Sequence, residues 1–177
     1  ENKIPLRSEV AVENTWALED LYATDDDWKA DMERLKSMMQ QACEYQGKLS
    51  QSSAQLLAFL KFQDDINVIL TDFANYSFRK ADEDTRNTTY QGFKSQTNSL
   101  IVALTGALSF AEPEILSIPD ETLEQFYQEQ SELSVYKRYI HDIRRKKAHI
   151  LSNAEEKIMA AACEMEQAPD EIYGLLN

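Results

Sequence analysis

Residues 52–76 read SSAQLLAFLKFQDDINVILTDFANY. Phe59, Phe62, Ile66, Ile69, Leu70, Phe73 and Tyr76 recur at steps of three and four, and Lys61, Asp64, Asp65, Asp72 and Asn75 take the other side. That spacing places these seven groups on one face of an α-helix, because residues three and four apart stack along the helix surface. Ser52 with Gln55 forms a capping-box pattern at its start. No two-residue alternation competes with this reading.

The same pattern extends in both directions. Upstream, Thr24 is a candidate N-cap, and Asp25, Asp26 and Asp27 fill the first turn, where the helix dipole favours negative charge. Trp28, Met32, Leu35, Met39 and Ala42 follow at helical steps, and Gly47 closes the run. Downstream, Thr85 is the expected cap of a third helix on Tyr90, Phe93, Leu100, Ile101, Leu104 and Leu108. Pro113 and Pro119 are expected to bracket a short connector before a helix from Asp120 on Leu123, Phe126 and Tyr127. Ser134 precedes a segment on Tyr136, Tyr139, Ile140 and Ile143. Ser152 with Glu155 opens another through Ile158, Ala162 and Met165, and Pro169 suits the first turn of a last short helix. The expectation is an all-α antiparallel bundle of about six or seven helices, with Phe59, Phe62, Phe73, Phe93, Leu104 and Tyr139 in its core. Residues 1–23 read as an extended arm with a Trp16, Leu18 and Leu21 anchor that inserts into the core, and residues 24–177 as the helical domain.

Composition supports this class. The 177 residues hold only four Gly and four Pro, which disfavours a turn-rich sandwich or barrel, and 43% hydrophobic content excludes global disorder. The 31 acidic and 18 basic residues leave a net charge of −13, a field that repels phosphate backbones, so no nucleic-acid partner is expected. The stretch Leu100 to Ala111 is too short to span a bilayer, so no membrane partner is expected either. Cys43 and Cys163 are too few for a disulfide framework and read as small buried residues. With Glu1-Asn2-Lys3 leading into a polar segment, the expectation is a cytoplasmic protein from which some upstream sequence has been removed.

Catalytic chemistry is hard to place. A helical zinc site needs two histidines four apart with a glutamate between them, whereas His141 and His149 stand eight apart. The acidic clusters Asp25–Asp27 and Asp82–Asp84 sit at helix starts and lack the order of an EF-hand loop. No catalytic or metal residue is therefore expected in this chain. The anomaly is basic: Lys137, Arg138, Arg144, Arg145, Lys146 and Lys147 place six of 18 basic residues within eleven positions. One reading is a solvated face, and the other a surface for carboxylates.

Three blocks together resemble the oligoendopeptidase F family of thimet-oligopeptidase-like zinc metallopeptidases. They are Trp16-Ala17-Leu18-Glu19-Asp20-Leu21-Tyr22 with Asp25-Asp26-Asp27-Trp28, then Asp84-Thr85-Arg86-Asn87-Thr88-Thr89-Tyr90-Gln91, then Arg144-Arg145-Lys146-Lys147-Ala148-His149-Ile150-Leu151-Ser152. The resemblance implies an N-terminal helical portion of a longer metalloendopeptidase that hydrolyses short peptides, truncated before its catalytic domain. It implies that zinc is bound outside this chain, on an HExxH helix of the C-terminal catalytic domain, where it acts as a Lewis acid. This portion would form a wall or lid of the substrate channel and would be inactive alone. Arg144, Lys147 and His149 lie in the most specific block and read as a structural latch or as peptide-carboxylate contacts. The expected partners are the missing catalytic domain and, in the parent, short peptide substrates. Self-association of the isolated piece is expected from the apolar surface that truncation exposes. The competing class is a free-standing helical interaction module whose basic stripe meets an acidic partner.

Overall fold

Thr24 sets the first long helix. Its hydroxyl accepts from the Asp27 backbone N–H at 3.2 Å, and the Asp27 carboxylate accepts from the Thr24 N–H at 3.0 Å, a reciprocal capping box that opens α1 (Asp25–Ala42). Gly47 adopts φ 76° in the loop that follows. Ser52 Oγ then accepts from the Gln55 N–H at 3.2 Å and starts α2 (Ser53–Glu83). The computed structural model describes residues 9–145, and their fold is all-α, with no strand among the described residues. By compactness the chain divides into two units, Glu1–Arg138 and Tyr139–Asn177.

The third helix corrects one expected cap. Asn87, not Thr85, accepts from the Thr89 and Tyr90 N–H groups at 3.1 and 3.4 Å, and α3 runs Thr88–Leu108. Asn is the stronger cap by propensity, and its carbonyl reaches both orphan donors. Pro113 is also corrected: it lies within the first turn of α4 (Ala111–Ser117), where its missing N–H costs nothing, so the expected connector is itself helical. Then α5 spans Asp120–Glu129, as the sequence indicates. Ser134 does not lead directly into a helix but lies in a 3-10 turn, Ser131–Tyr136, ahead of α6 (Lys137–Arg145). The segments opened by Ser152 and Pro169 lie outside the described residues.

Helices α1, α2 and α3 pack on one another, and α5 with the 3-10 turn packs on α2. Trp28 is the centre: its ring is fully buried, stacked on Phe73 of α2 at 4.4 Å and on Phe93 of α3 at 4.1 Å. Its Nε1 donates to the Phe73 carbonyl at 3.0 Å. Of the expected core, Phe59, Phe73, Phe93 and Leu104 are buried and Phe62 is half-buried. Tyr139 is instead 37% exposed. Trp16 was expected to insert but is 76% exposed, whereas Leu18 and Tyr22 join the core. Trp28 already occupies the slot between two aromatic helices, which leaves none for the second indole. Cys43, expected to be buried, is exposed where α1 ends.

Candidate functional site

Three features of this frame carry concentrated chemistry. The first joins the start of α1 to α2 and α3. Tyr76 Oη donates to Asp25 at 2.8 Å, Tyr90 Oη to the same carboxylate at 3.5 Å, and Tyr22 Oη to Asp31 at 2.8 Å. Burial, reinforced by these carboxylates, holds the Tyr22 and Tyr76 hydroxyls well above the ordinary phenol value. Lys80 Nζ sits 5.6 and 5.5 Å from the Tyr76 and Tyr90 ring centres and 3.9 Å from Glu83. These contacts fasten three helices to one another. The acid triplet divides accordingly: Asp25 fastens, Asp27 caps and Asp26 pairs with Lys29 at 2.8 Å.

The second feature is the basic stripe. Lys137 Nζ lies 4.6 Å from the centre of the Tyr127 ring, a cation–π contact. Arg145 Nη2 stands 3.9 Å from Asp142 Oδ1, and His141 Nδ1 stands 3.7 Å from the same oxygen. Part of the positive charge is therefore engaged locally. Of the expected latch residues, only Arg144 lies within the described residues, where it is half-buried; Lys147 and His149 lie outside them, as do Lys146 and Cys163. Among the described residues no group of three or more His, Cys, Asp or Glu comes together in a way that fits a metal ion, so no step through a metal is assigned to them.

The third feature is an open cleft of about 380 Å³ between α1 and α3, lined by Met32, Met39 and Leu100 with Ser95, Ser99 and Ala103. A second cleft of about 300 Å³ lies beside Trp16, and Arg79, Asp82 and Glu83 also line it.

Sequence reasoning missed three fastenings. The Glu114 carboxylate of α4 accepts from the backbone N–H groups of Gly47 and Leu49, clasping the α1–α2 loop. The Ser77 and Thr97 hydroxyls meet at 2.7 Å in the α2–α3 interface, both fully buried. Tyr136 Oη donates to Asp64 at 2.6 Å, and that hydrogen bond pushes the phenol up to about 12. The legible signal was the position of Ser77 and Thr97 on otherwise apolar helix faces.

The chain is similar to known proteins. A family model described as Oligopeptidase F matches residues 114–177. Oligopeptidase PepF of Bacillus subtilis is 34% identical over 176 residues, covering 99% of this chain and 26% of that protein. An oligoendopeptidase F homolog of Lactococcus lactis subsp. lactis is 33% identical over 172 residues, 97% of this chain and 29% of its own. The chain belongs to the oligoendopeptidase F family. The crystal structure of oligoendopeptidase-F from Enterococcus faecium shares the fold, with a TM-score of 0.72 and 30% identity over 87% of this chain and 30% of that one. The chain thus spans between a quarter and a third of the length of these oligoendopeptidase F relatives. It corresponds to their N-terminal domain.

Proposed function

We propose that this chain is the N-terminal helical part of a zinc-dependent oligoendopeptidase acting on short peptides in the cytoplasm, and that it forms a wall or lid of the substrate channel. The observation that supports the reading is coverage. Alignment to oligopeptidase PepF runs through 99% of this chain yet only 26% of that protein, which leaves ample length for a catalytic domain elsewhere. The fastenings suit such a role: buried hydroxyls, a clasped loop and a tyrosine–carboxylate knot make a stiff frame, and a stiff wall holds a peptide in register better than a mobile one. Zinc, held by residues outside this chain, supplies Lewis-acid chemistry to the parent. Arg144, Lys147 and His149 act as a latch toward the rest of the parent, or as contacts for a peptide carboxylate.

The test is to read the gene beyond Asn177 and assay its full product. An in-frame HExxH motif, chelator-sensitive cleavage of short peptides by the full product, and no cleavage by the 177-residue chain are the expected results. A gene that ends at this length, with the basic stripe capturing an acidic protein, replaces the proposal with an interaction module. Lys147→Met in the full product separates the two latch roles. Lowered melting with retained turnover marks a latch, and unchanged melting with a collapsed kcat marks a substrate contact.

A further inference from the structure

Helices α1 and α2 turn charge to solvent. Asp26, Lys29 and Glu33 on α1, and Lys61, Asp64 and Asp72 on α2, are all exposed. Helix α3 does otherwise. From Ser95 to Ala111 there is no charged residue, a run of 17 in a chain that is 28% charged. Core packing explains Thr97, Leu100 and Leu104, which are buried, but not the outward positions. Ser95, Gln96, Ser99, Val102 and Ala103 are exposed, Val102 at 72%, and all are uncharged. The helical stretch Thr88–Ser117 is long and apolar enough to cross a membrane by length and composition, yet only 22% of its most apolar window is buried.

The facing part of α1 matches. Ser37 to Cys43 carries no charge, and Met32, Lys36 and Met39 from α1 line the 380 Å³ cleft with Leu100 from α3; the charge of Lys36 is paired with Glu33 at 2.7 Å. A solvated helix face carries charge, whereas the centre of an interface is depleted of it. Small residues along α3 let a second helix approach closely, and methionines adapt to its side chains.

We propose that the α1–α3 cleft seats a helix from the part of the polypeptide beyond residue 177, laid along α3 with an uncharged face on Met32, Met39, Leu100 and Ala103. This rests on the reading of the chain as the N-terminal part of a longer peptidase. The relatives have the length to supply such a helix, since at least seven-tenths of the Bacillus subtilis and Enterococcus faecium proteins lies outside the matched part. Charge argues against the other occupants. At −13, two copies of this chain repel each other, and an anionic lipid surface repels one.

The experiment places single cysteines at Ser99→Cys, at Ala103→Cys and, as a control on exposed α2 surface, at Asn67→Cys, all in a Cys43→Ser, Cys163→Ser background. Maleimide labelling rates are compared between the 177-residue chain and the full-length gene product. The expected result is rapid labelling at all three sites in the short chain. In the full product, labelling is at least ten-fold slower at 99 and 103 and unchanged at 67. Ala103→Arg should also lower the melting temperature of the full product more than that of the short chain. Equal labelling in both forms overturns the proposal. So does protection in the short chain that dilution relieves, which puts a second copy in the cleft, or protection that only lipid vesicles confer. A gene that ends at residue 177 removes the underlying reading as well, whereas a continuing gene with unprotected sites removes only this inference.

Discussion

Replacing Trp28 tests whether the three long helices are held as the geometry indicates. Trp28→Phe keeps an aromatic ring between Phe73 and Phe93 but removes the N–H that donates to the Phe73 carbonyl at 3.0 Å. The lost hydrogen bond costs about 0.5–1.5 kcal/mol. The missing ring leaves a void of roughly 40 Å³, which at about 24 cal/mol per Å³ adds about 1 kcal/mol. The expected total is about 2 kcal/mol. Trp28→Ala also removes both stacked pairs, so about 5 kcal/mol is expected, a large share of the roughly 5–15 kcal/mol that holds a domain together. Trp16 is the matched control: the same residue type at 76% exposure, with Trp16→Ala expected within about 0.5 kcal/mol of the parent. Urea unfolding followed by circular dichroism reads these differences. Tryptophan emission adds an independent check, because the chain has only these two indoles. In Trp28→Phe the shielded, blue-emitting component disappears and the iodide-quenchable component from Trp16 remains. Equal costs for Trp28→Ala and Trp16→Ala, or loss of the quenchable component in Trp28→Phe, would refute the assignment of the core.

Three further outcomes are expected. Gly47→Ala costs about 1–2 kcal/mol through its φ of 76° alone, because an added Cβ meets nothing within 4 Å. Gly92→Ala, inside α3 with equally open space, stabilises by about 0.5–1 kcal/mol, and denaturation midpoints moving in the same direction for both would contradict this. Thr97→Val costs about 1 kcal/mol because Ser77 Oγ keeps the Ala74 carbonyl at 3.1 Å, whereas Ser77→Ala, which strands the Thr97 hydroxyl, costs about 1–3 kcal/mol. Their double variant loses less than the sum in a mutant cycle. Alkaline pH weakens the fold: Tyr22 and Tyr76 are raised when folded, by burial first and then by Asp31 and Asp25. Their contribution is full below pH 10, where both states keep the phenol protonated, and it falls above that because only the unfolded chain ionises. The slope reaches about 1.4 kcal/mol per pH unit for each, and urea midpoints that stay level from about pH 9 to pH 11 would count against the knot.

Local rules carried the sequence reading a long way. Thr24 and Ser52 could be recognised as caps because a cap bonds backbone groups only two or three residues on, and that geometry is written in adjacent residues. The face of α2 was legible for the same reason, since a helix brings positions three and four apart together wherever it sits. Family membership was legible in blocks such as Asp84 to Gln91, although the Thr85 cap assigned within that block was displaced to Asn87. Tertiary structure decided what depends on distant partners. Trp16 and Trp28 both read as apolar anchors in the sequence, and only Trp28 finds rings from two other helices, 45 and 65 positions away. Asp25, Asp26 and Asp27 are identical in composition, yet one fastens tyrosines, one pairs with a lysine and one caps. The uncharged outer face of α3 was present in the sequence as a run without charge. Its meaning appeared only when packing showed which of those residues the core had left uncovered, because periodicity identifies a helix face but not what lies against it.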